Sequence, residues 1–232
     1  MRRSSLAAGL LVVMALVLAP SASYAQQSLN FYFGGFVPPG ADGRSNDDVL
    51  ANNQNFLVFD IGEFHGPTFG AEYLVGLGRW LDGGLGVGYY SQTVPSVYAD
   101  YVNANGSEIE QELRLRMVPF TATVRFLPLG HSEGIEPYIG GGVAIINWRY
   151  EEAGEFVDFT DDSIFGDRFT GSGTSTGPLI LGGIRVPIGA FRIGGEIRWQ
   201  KAEGDLPLDQ GFSGDTVDLG GWSYLATFNV RF

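Results

Sequence analysis

The last thirteen residues, GGWSYLATFNVRF over 220–232, set the fold by their alternation. Gly220, Trp222, Tyr224, Ala226, Phe228, Val230 and Phe232 share one face. Ser223, Thr227, Asn229 and Arg231 share the other, with Leu225 as the exception. A period of two sustained over this length is a β-strand with one apolar face. The stretch 190–202 repeats it, setting Phe191, Ile193, Gly195, Ile197 and Trp199 against Arg192, Gly194, Glu196, Arg198 and Gln200. In 83–92, Leu85, Val87 and Tyr89 oppose Gly84, Gly86 and Gly88. In 67–78, Phe69, Ala71, Tyr73, Val75 and Leu77 oppose Gly70, Glu72, Gly76 and Gly78. Over 112–126 the phase changes: Leu113, Leu115 and Met117 share a face, then Val118, Phe120, Ala122, Val124 and Phe126. A bulge near Val118–Pro119 would reconcile the halves, since proline within sheets favours bulges and edges. With 29–37, 136–150 and 177–187, eight strands are expected.

The connections carry a sharper signal. Long ones are expected at 38–66, 93–111, 151–176 and 203–217, and short ones at 79–83, 127–135 and 188–189. Long loops at one end and tight turns at the other mark an antiparallel up-and-down barrel of the outer-membrane type. Strands of about ten residues suit a tilted crossing of the hydrocarbon layer, and closure satisfies every backbone group that lipid cannot. The four long connections hold 19 acids and two bases, Arg44 and Arg168, whereas the rest of 26–232 holds ten bases and seven acids. Acidity is thus concentrated at one end. Tyr138 on the turn side, and Tyr89, Tyr90, Trp148, Tyr150 and Trp199 on the loop side, would form interfacial girdles.

Composition excludes several classes. Charged residues are 17% of the 232, below the roughly 25% of a typical soluble domain, and there are 35 Gly and no Cys. Without cysteine there is no disulfide framework, thiol catalysis or cysteine-ligated metal. A net charge of −12 argues against a nucleic-acid partner, whose footprint is a basic patch. At the start, Arg2 and Arg3 precede an apolar run from Leu6 to Ala19, followed by Pro20 and then Ser23-Tyr24-Ala25. This reads as a secretory signal peptide over 1–25, cleaved after Ala25. Residues 26–232 would then form the barrel domain. The run is shorter than the roughly 20 residues that a spanning helix needs.

The stretch 26–232 resembles the small eight-stranded outer-membrane proteins, the OmpA/OmpX/OmpW-like outer membrane protein β-barrel domain group. The resemblance rests on Glu136-Pro137-Tyr138-Ile139-Gly140-Gly141-Gly142-Val143 and on the terminal Phe228-Asn229-Val230-Arg231-Phe232. It implies that Phe228, Val230 and Phe232 form a signal read by the barrel assembly machinery, with Val230 where an aromatic is more usual. It also implies a bacterial outer-membrane location, in contact with outer-membrane lipid and lipopolysaccharide. Barrels of this shape serve many roles, so the resemblance names no activity.

Residues that could carry chemistry are few. Glu151, Glu152, Glu155, Asp158, Asp161, Asp162 and Asp167 could bind divalent cations through oxygen ligands, although Asp158 to Asp162 does not match an EF-hand loop. A solvated acidic loop is the simpler reading. His65 in the first long loop and His131 in a short turn should lie at opposite ends, each as a surface residue. Ser45 with Asp48 resembles a capping box before Val49-Leu50 and predicts a short helix in the first loop. Asn105-Gly106-Ser107 reads as a turn. Gly140-Gly141-Gly142 is strand material that lets the wall curve or lumenal groups approach.

Eight strands leave an interior just wide enough for side chains to fill. Alternation places Arg114, Arg116, Arg125, Arg185, Arg192, Arg198 and Arg231 in the lumen with Glu72 and Glu196, which should each touch at least one arginine. A charge in such a space must be paired or hydrated, and arginine's planar fork can hold two acceptors at once. The reading is therefore a non-enzymatic barrel with a structural or surface-interaction role, no cofactor and a lumen plugged by this network. A lipid-modifying barrel enzyme is the alternative from another class. It would need a His-Ser-acid arrangement at the outer rim, where only His65 is placed. A narrow small-solute channel is a further alternative. A soluble lipocalin-like barrel would need polar outer faces, and the strands offer tryptophan and phenylalanine there.

Overall fold

The computed structural model describes residues 27–131 and 134–232, so the expected leader, 1–25, lies outside the described residues. Eight strands form the wall: β1 Gln27–Val37, β2 Gly66–Gly76, β3 Leu81–Val102, β4 Glu108–Phe126, β5 Glu136–Asp158, β6 Ser163–Ile188, β7 Phe191–Gln200 and β8 Gly221–Arg231. Each pairs antiparallel with its neighbours in sequence. β1 closes the ring on β8, from Ser28 opposite Arg231 to Val37 opposite Trp222. No edge strand remains in this ring, and that is what a strand structure needs in order to stand in lipid. The fold is an all-β, eight-stranded up-and-down transmembrane barrel.

Alternation decides which face each residue takes. Phe31, Phe33, Phe69, Leu85, Val87, Phe120, Val124, Ile139, Val143, Ile145, Ile180, Ile184, Phe191, Ile193, Ile197, Trp222, Tyr224 and Phe228 all face outward and are exposed. Together they make a continuous apolar belt. No helix is long and apolar enough to cross a membrane among the described residues, and here the strands do the crossing.

Two of the four long loops proved to be strand. The outer connections of β3–β4 and β5–β6 are only 103–107 and 159–162. The expected loops 93–111 and 151–176 are largely the continuation of these hairpins, whose strands reach 19 to 26 residues. About ten residues suffice for a tilted crossing, so the hairpins rise well beyond the belt. This extension also explains the phase change in β4, which is not a bulge. The register with β3 is unbroken from Leu81 opposite Phe126 to Val97 opposite Glu110, and the irregularity falls between Val97 and Val102. Odd residues point inward along the whole of β4, from Ile109, Leu113, Leu115 and Met117 to Thr121, Thr123 and Arg125. What changes is the environment on each side of the wall. Within the belt, the inside is polar and the outside meets lipid. Above it, the inside is an apolar core and the outside meets water.

That outer core is filled by the first connection, 38–65. Helix α1, Val49–Asn53, buries Val49 and Leu50, and a 3-10 turn over Ile61–Phe64 buries Ile61 and Phe64. They pack with Val94, Leu113, Leu115, Ile146, Trp148 and Tyr150 on the inner wall. The helix forms as expected, but its cap is Asp48 itself, not Ser45. The Asp48 carboxylate accepts from the Leu50 and Ala51 amides, and from Arg44 at 3.0 Å. It also accepts from the Asp218 amide at 2.7 Å, tying the first connection to the last. The last connection, 201–220, folds over the same core through a two-stranded ribbon of Glu203–Asp205 with Thr216–Asp218. Of the expected girdle aromatics, Tyr89 and Trp199 do lie on the outward parity. Tyr90, Tyr138, Trp148 and Tyr150 are instead buried inside, because their even numbers on β3 and β5 turn them inward.

Candidate functional site: the charged layer of the lumen

Inside the belt, the barrel holds two balanced charge clusters. The first joins Glu72 of β2, Arg125 of β4, and Glu196 and Arg198 of β7. Arg125 Nη2 donates to Glu72 Oε2 at 2.6 Å and to Glu196 Oε2 at 2.9 Å. Arg198 donates to Glu72 at 3.2 Å and, through Nε, to Glu196 Oε1. Thr123 Oγ1 donates to Glu72 Oε1 at 2.9 Å, and the Tyr138 hydroxyl to Glu196 Oε2 at 2.8 Å. Two acids and two arginines therefore sum to zero. All four are at most 5% exposed, so pairing is what makes their burial tolerable.

The second cluster lies toward the short turns. Arg185 of β6 donates to Asp82 at 2.8 Å and reaches Glu136 at 3.7 Å, while Arg192 of β7 donates to Glu136 at 2.7 Å. His131 Nε2 stands 3.1 Å from Asp82 Oδ1. Again two acids meet two arginines, now with a histidine beside them. Tyr138 joins the layers: the Arg125 guanidinium lies 5.3 Å from its ring centroid and that of Arg185 4.9 Å. Arg198 stacks on Tyr32 at 4.3 Å. Aromatic faces attract such cations, and here they cover guanidinium surface that no carboxylate reaches.

Small residues make this packing possible. A Cβ on Gly84 would sit 2.6 Å from Glu72 Oε1, so the β3 glycines opposite β2 are the space that the Glu72 carboxylate occupies. A Cβ on Gly183 would meet the Tyr138 hydroxyl at 2.5 Å.

Six of the nine expected lumenal residues come together here, and three do not. Glu72, Arg125, Arg185, Arg192, Glu196 and Arg198 point inward and are buried. Arg231 has the inward parity but is only half-buried, near the turn-side mouth. Arg114 and Arg116 face outward above the belt. The bulge expected near Val118–Pro119 is absent, so β4 keeps one parity and turns both arginines outward. Asp82 and Glu136 were missed. Asp82 lies in the expected short turn 79–83 and Glu136 begins its strand, yet both carry the inward parity of β3 and β5, the signal that identifies them. His131 pairs with Asp82 at the turn-side mouth instead of standing free, while His65 is exposed at the opposite end.

Among the described residues, no three acidic, histidine or cysteine side chains converge in a way that could hold a metal ion. Glu151 instead accepts from Arg149 and Arg168 at 3.2 Å each. At the terminus, Phe228 is exposed, with its ring stacked on Phe191 at 5.3 Å. Val230 is half-buried, and Phe232 is exposed with its amide donating to the Gln27 carbonyl at 3.1 Å.

No protein-family model and no curated protein matches the sequence. Solved structures do resemble it. The outer membrane protein OprG from Pseudomonas aeruginosa superposes with a TM-score of 0.51 at 12% identity, covering 90% of this chain and 97% of that one. Neisserial surface protein A gives 0.48 at 11% identity over 90% of this chain and all of the other. The outer membrane protein W of E. coli gives 0.45 at 13% over 91% and 100%. At such identities the likeness speaks to fold alone, and the argument rests on the first of the three. With the closed antiparallel ring, the outward apolar belt and that likeness, the chain is a small eight-stranded β-barrel of the outer-membrane type.

Proposed function

We propose that the protein is a non-enzymatic integral outer-membrane barrel whose work is done by its outer end, with the lumen serving as a structural plug and not as a pore. The observation that supports this reading is the stacking of two different packed layers along one axis. The paired layer of Glu72, Arg125, Glu196 and Arg198 joins β2, β4 and β7 across the lumen within the belt. Above it the apolar core around Val49, Leu50, Phe64 and Leu115, each fully buried, fills the outer half. An ion entering from outside would have to displace the apolar core and then a neutral, mutually paired charge layer. Meanwhile the hairpins of β3–β4 and β5–β6 lift polar surface clear of the lipid: Glu110, Glu112, Arg114, Glu151 and Arg168 stand on their outer faces. Such a barrel presents a rigid, sheet-built platform to the outside, and rigid elements hold binding geometry better than free loops.

Solute uptake by vesicles tests the closed lumen. Liposomes carrying the refolded protein should swell in small sugars no faster than empty liposomes. Swelling at a porin-like rate would overturn the plug.

A further inference from the structure

The outer end contains a cavity of about 540 Å3, lined by the first, third and last outer connections and by the tall strands β3 to β6. One aromatic wall is Phe56, Tyr98 and Phe159, with Phe56 5.9 Å from Tyr98 and 5.7 Å from Phe159. A second aromatic wall is Phe156, Phe165 and Phe169, with Phe156 4.5 Å from Phe169 and 5.8 Å from Phe165. The polar part of the lining is Glu152, Gln111, Asn53 and Ser213, with Asp158 and Thr160 nearer the outside. A cavity of this size, with six aromatic side chains and a set of polar groups in its lining, has the form of a small-molecule site.

Glu152 is the unusual member. It is only 5% exposed, yet no arginine, lysine or histidine pairs with it among the described residues. Its Oε1 is fully engaged, accepting from Asn53 Nδ2 at 2.7 Å and from the Tyr150 hydroxyl at 2.8 Å. Asn53 is itself held by Ser213, whose hydroxyl donates to Asn53 Oδ1 at 2.5 Å. Oε2 accepts from no described residue, and the side chain lines the cavity. Beside it Gln111, buried to 3% exposure, keeps its amide donors on the Tyr98 hydroxyl and the Glu155 carbonyl while Oε1 has no partner. The arrangement thus offers acceptors and no cation. Among the described residues, every other strongly buried carboxylate is treated differently: Glu72, Asp82, Glu136 and Glu196 in the lumen, and Asp48 under the first connection, each have an arginine. Burial pushes the Glu152 carboxyl up, and the Asn53 and Tyr150 hydrogen bonds only oppose that.

We propose that this cup binds a small organic ammonium ion, with the cationic group on Glu152 Oε2 and its organic body between the two aromatic walls. A buried carboxylate without a fixed partner is destabilising, and an arriving cation removes that penalty. Aromatic faces add attraction for an ammonium group stripped of water. Gln111 Oε1 supplies a second acceptor for an N–H. A neutral apolar molecule would fill the walls but leave both oxygens unanswered, which is what gives the site its selectivity. The inference goes beyond the closed lumen and does not depend on it, so ammonium binding and the swelling assay can fail separately.

Calorimetric titration of the refolded full chain, in a non-ionic sugar detergent that carries no amine, tests the proposal. Phenethylammonium should bind at least ten-fold more tightly than 2-phenylethanol, its neutral analogue. Glu152→Gln keeps the acceptor for Asn53 and Tyr150, and should erase that preference while migrating as folded on unboiled gels. Phe159→Ala, on an exposed wall residue, should weaken both probes. Equal binding of the two probes by the wild type, no binding of either, or a preference unchanged in Glu152→Gln would each overturn the assignment. Since Glu152→Gln removes one acid of 26, loss of preference in that variant is not explained by bulk surface charge.

Discussion

Replacing Glu196 by alanine should be among the most damaging single changes in the barrel. The carboxylate accepts from Arg125 at 2.9 Å, from the Tyr138 hydroxyl at 2.8 Å and from Arg198 Nε. Its loss turns a neutral cluster of two acids and two arginines into one with an uncompensated buried positive charge. Arg125 already has Nε and Nη1 without hydrogen-bond partners, so it has no spare acceptor to turn to. Removing one partner from a buried pair costs about 3–5 kcal/mol, and Glu196→Ala belongs at that level. Arg198→Met removes the excess charge, so the double variant should be less damaged than the sum of the singles, with a coupling of about 1–3 kcal/mol. Urea unfolding of protein refolded into phospholipid vesicles, followed by tryptophan fluorescence, gives both numbers under reversible conditions. A loss below about 1 kcal/mol for Glu196→Ala, or strict additivity in the cycle, would show that the cluster is hydrated and loosely held, and would refute the reasoning.

Other outcomes follow from separate parts of the molecule. Deleting Phe232, or extending the chain beyond it, should lower the yield of heat-modifiable folded barrel, because β8 must pair with β1 to close the ring; unchanged yield counts against the terminal signal. Gly142→Ala should destabilise by about 1–3 kcal/mol, since its Cβ would stand 1.9 Å from the Ala122 carbonyl oxygen, as read by the same urea titration. Glu152 has a carboxyl raised by burial, so its contribution to stability falls as pH rises from the usual carboxylate range through the raised value. Glu152→Gln should therefore be more stable than the wild type at neutral pH, with the difference shrinking below about pH 4; a constant difference at all pH values would contradict this.

Alternation made the wall legible. The faces of 67–78, 83–92, 190–202 and 218–232 are those of β2, β3, β7 and β8, because within the belt one side must be apolar and the other not. The same rule misled above the belt, where the barrel no longer has lipid outside. Leu113, Leu115 and Met117 are apolar on the inward face of β4 and Val118, Phe120 and Phe126 on its outward face, with no change of register. Reading that as a bulge sent Arg114 and Arg116 into the lumen. Charge content likewise made 93–111 and 151–176 look like loops, whereas alternating charge on a tall hairpin with a solvated outer face looks the same in sequence. The partners inside the lumen depend on stagger between strands. Arg125 meets Glu72 and Glu196 across 53 and 71 residues of chain, and parity fixes side but not height.

Planar-bilayer recording most directly tests the claim that the lumen is sealed. The wild type should show no steady single-channel steps, while Glu72→Ala with Glu196→Ala, which removes both acids of the central cluster, should admit small, flickering currents if it still folds. Steady, well-resolved channels in the wild type would contradict the account.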